Sequence, residues 1–193
     1  MYFLSKPKPD EIRTFLFSQK NQPFSYAHVG ASRGNLPVGY TVDKNRVRLG
    51  EGAECYARAV GAVRQWKMFE MPWVELCWPD APIQEGTTVA VLVQHLRFWS
   101  LNASRIVYLI DEDGRDKRFG FAYGTLMQHA ERGEERFSVE FHADDQSVWY
   151  DLCAFSKPSL LARLGYPFAR ALQKRFAADS KRSMQKAAAE QTA

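Results

Sequence analysis

Apolar residues recur first at helical spacing, then at a period of two, then at helical spacing again. In 9–20, Ile12, Phe15 and Leu16 share one helical face, Pro9 suits the first helical position, and Asp10 and Glu11 complement the dipole. Residues 21–37, rich in Gly, Pro, Ser and Asn, read as a long irregular connection. A strand follows within 39–52, where Val47 and Leu49 alternate with Arg46 and Arg48 until Gly50 and Gly52 break it. A second helix is predicted at about 53–69, with Tyr56, Ala59, Val60, Val63 and Trp66 in one stripe and Pro72 as its terminator.

From there to Phe155 the alternation predicts strands at 73–78, 87–99, 103–111, 117–126, 135–143 and 147–155. Asp113-Gly114 is a hairpin signal, and Ala143-Asp144-Asp145-Gln146 carries turn chemistry, so the short links argue for an antiparallel meander. Phe119, Phe121, Tyr123 and Thr125 share one side. Phe137, Val139 and Phe141 likewise oppose Arg136, Ser138, Glu140 and His142, as one dry and one wet face require. Ser156 then reads as an N-cap, with Pro158 in the first helical turn and Leu160, Leu161 and Leu164 as a short stripe before Gly165 and Pro167 interrupt it. Phe168, Ala171, Leu172 and Phe176 make a second stripe, and beyond Asp179 the pattern fades, so 181–193 are expected to fray. The whole is an α+β chain: one domain over 1–193, with a lead-in at 1–37, a core at 38–180, and a sheet of six to seven strands curved around a C-terminal helix. Such an arrangement can enclose an apolar pocket.

Composition adds little to exclude this. The 193 residues are 46% hydrophobic and 13% aromatic, which suits a well-filled core and an aromatic-lined cavity. Cys55, Cys77 and Cys153 are odd in number and lack a Cys-x-x-Cys pair, so they read as buried thiols rather than a zinc site or disulfide frame. The start lacks the continuous apolar stretch of a signal peptide, and runs such as 89–93 are too short to span a bilayer; the chain reads as soluble and cytoplasmic. From Lys157 onward there are eight Lys/Arg against two Asp/Glu, making the last helix basic.

Two stretches carry candidate ligand-binding chemistry. In Tyr123–Glu135, Tyr123 can donate a hydrogen bond beside Thr125, His129 can titrate near neutrality, and Glu131, Glu134 and Glu135 supply carboxylates. Folded over a pocket mouth, a His–Glu pair would serve as acid and base; the competing reading is a solvated hairpin loop. His95 and Arg97 continue the face of Val89, Val91 and Val93, so a dry face becomes polar at one end, with Arg97 suited to a carboxylate or phosphate. The bland alternative is a strand end reaching solvent. Trp149 and Tyr150 lie mid-strand, one ring facing inward as core or as a stacking surface, and an inward Asp151 would need a partner. Neither a metal-ligand spacing nor a phosphate loop stands out, so no metal or cofactor is expected.

Strand, helix, six strands and a long final helix is the order of the helix-grip fold of the START and birch-pollen-allergen superfamily. At a finer level the chain resembles the uncharacterised protein family five-four-eight, also known as domain of unknown function nineteen-ninety. The likeness is carried by YAHVGAS (26–32), GYTVDKNRVRLGEG (39–52), RQWKMF (64–69), YGTLMQHAERGEERF (123–137) and AFSKPSLLARLGYPFARALQKRFAADS (154–180). That family's loop usually reads Gly-His-Pro where this chain has Gln128-His129-Ala130. The resemblance implies the fold and brings no activity or catalytic residue.

Three functions are therefore expected, in order: a binder of a small apolar or amphipathic molecule; a cyclase, dehydratase or hydrolase using His129 or His95 with a Glu; and an interaction module. The last would work through Arg170, Lys174, Arg175, Lys181, Arg182 and Lys186, with nucleic acid the least favoured partner.

Overall fold

The computed structural model describes residues 1–158 and 166–189. Its strands are β1 (Tyr2–Phe3), β2 (Thr41–Glu51), β3 (Val74–Cys77), β4 (Thr88–Gln94), β5 (Trp99–Asp113), β6 (Lys117–Thr125), β7 (Glu131–Phe141) and β8 (Ser147–Pro158). They form one antiparallel sheet in the order β2-β8-β7-β6-β5-β4-β3, with β1 pairing on β5. The meander runs from β3 to β8, and β2 closes the far side. Among the described residues three α-helices accompany it: α1 (Pro9–Gln19), α2 (Gly52–Arg64) and α3 (Tyr166–Ala189). A curled antiparallel sheet gripping a C-terminal helix is the helix-grip architecture, of class α+β.

Both faces of the sheet are covered. On the concave face Phe121, Phe137, Val139, Val148 and Tyr150 pack with Ala59 and Val63 of α2, with Trp66, Met68 and Phe69 after it, and with Ala177, Met184 and Ala188 of α3. On the convex face α1 sets Ile12 and Phe15 over Ala90, Leu92, Leu101, Ala103 and Leu126. The cysteines are buried and free.

The irregular lead-in has a definite place on that convex face. A β-bulge between Ile106 and Tyr108 reverses side-chain parity, so Tyr108 points outward and its hydroxyl meets Ser32 Oγ at 2.7 Å. Glu134, 2% exposed, accepts from Tyr26 Oη at 2.7 Å, from the Gly30 and Ser32 amides at 2.7 and 2.9 Å, and from the Ser32 hydroxyl. Gly124, paired with Glu134 across β6 and β7, makes room, since a Cβ there would strike Tyr26 Oη. Residues 24–33 are thus a strap gathered on the Glu134 carboxylate, with further hold from Ser25 on Thr125 and from Arg136 on the Ser32 carbonyl.

Four expectations from periodicity are corrected. The second helix ends at Arg64, not near Pro72, because Trp66 takes a left-handed conformation (φ 57°) that buries its ring and turns its Nε1 to the Ala81 carbonyl. The strand predicted to run to residue 99 stops at Gln94: a tight turn, closed by the His95 amide on the Phe98 carbonyl, starts β5 at Trp99. Ser156 is no helix cap, because β8 continues to Pro158, pairing Ser156 with both Thr41 and Gly133; a proline at a strand end costs no ladder bond. The stripe at Leu160, Leu161 and Leu164 lies outside the described residues. The segment after Asp179 is not frayed up to Ala189: Ser180, Met184 and Ala188, spaced by four, are fully buried.

Two outcomes follow from this packing. Met184→Ala lowers unfolding stability by about 2–3 kcal/mol in urea titrations, where a frayed tail would change it by less than about 0.5. Glu134→Ala leaves buried donors unmet and costs about 3 kcal/mol or more, with amide exchange at Gly30 and Ser32 accelerated beyond the global effect.

Candidate functional site

Along the concave face, side-chain size changes abruptly. Reading the inward positions of β7 from its middle toward its start gives Phe137, then Glu135, Gly133 and Glu131; β8 gives Tyr150 and Leu152, then Ala154 and Ser156; β5 gives Ile106, then Ser104, Asn102 and Ser100. The large side chains fill one half of the interior. Over the small ones α3 cannot close on the sheet, and a cavity of about 920 Å³ remains, within the range of small-molecule pockets. Its walls are mostly apolar, from Phe69, Trp73, Val91, Val93, Leu172 and Phe176, and Tyr2, Leu4, Phe98 and Phe168 stand at its rim.

Polar groups gather at the β6–β7 end. Tyr123 donates to Glu135 Oε2 at 2.9 Å. Burial, reinforced by Glu131 and Asp43 and opposed by the Tyr123 hydrogen bond, pushes the Glu135 carboxyl up to about 7. Glu131 is also raised by burial, against donation from Gln173 and Ser156. The Gln173 amide bridges Glu131 and Ser156 Oγ, and Arg170 holds both oxygens of Asp43.

The two histidines are neutral partners. His129 Nδ1 accepts the Glu131 amide at 3.0 Å, which leaves the ring proton on Nε2, and burial lowers its pKa to about 4. His95 stacks on Phe98 at 4.3 Å and bonds Ser100 Oγ through Nε2 at 2.9 Å; burial lowers its pKa, and its buried Nδ1 has no hydrogen-bond partner among the described residues.

Seven sequence-predicted residues border this cavity: His95, Tyr123, Thr125, His129, Glu131, Glu134 and Glu135. Thr125 spends its hydroxyl on Ser25 and on the Gly133 backbone. Glu134 is a correction: odd positions of β7 face inward, so its carboxylate projects to the convex face and serves the strap. Arg97 is another, because the turn at 95–98 carries it to the exposed tip and off the cavity wall. Trp149 lies on the outer face beneath Arg46, with its Nε1 on Ser147 Oγ, while Asp151 pairs with Arg136 at 2.7 Å. Tyr150 faces inward but in the filled half, its hydroxyl 2.8 Å from Ser180 Oγ. Neither ring lines the cavity.

Asp43, Asn102, Ser156 and Gln173 were missed as site residues, and Glu135 was named only as one of three carboxylates without a face assigned to it. Extending the parity of Phe137 and Val139 back along β7 would have placed both Glu135 and Glu131 inward. No comparable signal existed for Gln173, whose role depends on where α3 crosses the sheet.

Comparison with known proteins follows from this geometry. The family model described as "Domain of unknown function (DUF1990)" matches residues 25–183. A UPF0548 protein of Deinococcus radiodurans is 38% identical over 201 residues, covering 97% of this chain and 99% of that protein. One from Dictyostelium discoideum is 35% identical over 206 residues, covering 97% and 95%. Among solved structures, a hypothetical protein of Helicobacter pylori aligns at 11% identity and a TM-score of 0.47, over 82% of this chain and 93% of that one. Ara h 8.0201 aligns at 10% identity and a TM-score of 0.43, over 77% and 99%. With near-complete coverage at this level of identity, the chain belongs to the DUF1990 family of UPF0548 proteins.

Proposed function

We propose that this protein binds a small amphipathic molecule in the cavity between the sheet and α3. The observation that carries the reading is the cavity itself: about 920 Å³ of largely apolar space with Tyr123, Glu135, Glu131 and the two histidines converging on part of its wall. The basic helix gives less support to an external partner, since Arg170 is engaged with Asp43, Lys181 with Asn45, and Arg175 and Arg182 with Asp179.

A direct test uses the neutral fluorophore N-phenyl-1-naphthylamine. Saturable binding with one site per chain is expected, and Ala154→Phe, which fills the cavity from its floor, weakens it at least about tenfold while leaving the far-ultraviolet spectrum unchanged. Equal binding by that variant would place the dye elsewhere and remove the main support for this reading.

A second reading, acid catalysis on a bound molecule, is favoured by one observation: Glu135 holds its proton to about pH 7 inside the cavity, whose wall also carries a neutral His129. The same shift has a consequence for stability. The unfolded chain releases this proton above about pH 4.5, whereas the folded chain keeps it to about pH 7, so Glu135 makes stability fall as pH rises through that window. His129 acts oppositely, costing stability as pH falls from about 6.5 toward 4. Glu135→Gln therefore gains on the wild type by about 1–3 kcal/mol between pH 4.5 and 7.5 in chemical denaturation, and the gain levels off above. A pH-independent difference would show that Glu135 ionises normally in the fold.

A further inference from the structure

The charge balance of the cavity's polar end says more about its occupant. Glu135 is met by Tyr123 on β6, by Glu131 on its own strand, and by Asp43 on β2; Tyr150 on β8 faces the same carboxyl field. From α3 come Arg170 and Gln173. Arg170 is engaged by both Asp43 oxygens and by Gln173, while Gln173 offers Glu131 only a neutral amide. Among the described residues, the cationic side chains on the wall are Lys44 and Lys174, both exposed and neither bonded to a glutamate of the pair. His95 and His129 are neutral. Among the described residues, then, two largely enclosed carboxyl groups line an apolar chamber with hydroxyl and amide groups as their hydrogen-bond donors, and the Arg170 guanidinium, which favours the charged form of Glu131, is itself paired with Asp43. Buried carboxylates need a counter-charge, and where the protein supplies none they retain a proton.

We propose that the cavity selects a molecule carrying an ammonium group or comparable cation, which meets Glu135 and Glu131 while its apolar body lies against Phe69, Trp73 and Phe176. This rests on the cavity being a ligand site, as argued above. The aromatic walls suit a hydrocarbon or aryl body adjoining a cation, through area burial and ring-face attraction. Anionic ligands are disfavoured: Arg97, the one arginine that periodicity assigned to the site, stands outside it. Binding is an exchange in which the ammonium enters, the Glu135 carboxyl gives its proton to the buffer, and a carboxylate–ammonium pair replaces a neutral acid. Amine affinity therefore rises with pH from about 5 to about 7 and then levels off while the amine stays protonated.

Three matched probes distinguish head groups on one body: 4-phenylbutylamine, 4-phenylbutan-1-ol and 4-phenylbutanoate, each displacing N-phenyl-1-naphthylamine. The expected order at about pH 8 is amine ahead of alcohol by about tenfold or more, with the carboxylate weakest. Below about pH 6 the advantage of the amine shrinks, and calorimetry near pH 6.5 in buffers of different ionisation enthalpy registers release of about three-quarters of a proton. Glu135→Gln and Glu131→Gln each move the amine-to-alcohol ratio toward one; because the readout is a ratio within one variant, loss of folded protein does not mimic the effect. The proposal is overturned if the alcohol or the carboxylate matches the amine, or if neither substitution alters the ratio, and in both cases the cavity remains a ligand site. If the fluorophore does not bind at all, the ligand-site reading falls and takes the amine preference with it.

Discussion

Everything distinctive about this molecule depends on how side-chain volume is distributed along the concave face. Phe121, Phe137, Tyr150 and Trp66, all fully or almost fully buried, fill one half, and there Met184 and Ala188 of α3 dock firmly. Gly133, Ala154, Ser100 and Asn102 underlie the other half, where the rigid helix passes over space that it cannot fill. A helix anchored at one end does not bend to close a gap, because its backbone hydrogen bonds resist it. The void is thus a property of the anchoring as much as of the small residues beneath it.

The same division separates two kinds of carboxylate on one strand. Glu134 and Glu135 are neighbours, so they point to opposite faces. The first finds backbone amides and hydroxyl groups from the strap and works as structural glue. The second finds a tyrosine hydroxyl and, among the described residues, no cation bonded to it, and keeps its proton. Their chemistry differs because of what the opposite sides of the sheet bring to them, and a substitution table treating the two alike would mislead.

Much of this was legible in the sequence, for reasons that can be named. Period-two alternation from Phe119 to Thr125 and from Phe137 to Phe141 located β6, β7 and their dry faces, because antiparallel strands covered on one side must alternate. The site was harder. His95 was identified from a face becoming polar, yet Arg97 was placed beside it because nothing in the sequence marks the turn between Gln94 and Trp99, which lacks glycine and proline. The end of α3 escaped notice because alanine, serine and methionine give a weak apolar signal even when Ser180, Met184 and Ala188 are entirely enclosed. The strap escaped for a different reason: much of its hold comes from a carboxylate 102 to 104 residues away in sequence, and no local pattern reports that.

The central claim, a core half solid and half hollow, is tested most directly by methyl-resolved nuclear magnetic resonance with a neutral apolar probe. Titration is expected to shift the methyl signals of Val91, Val93, Leu152 and Leu172, which border the cavity, while those of Val139, Val148 and Met184 in the filled half stay in place. Shifts confined to exposed methyls such as Leu96 and Leu109, or spread evenly through both halves, would contradict it.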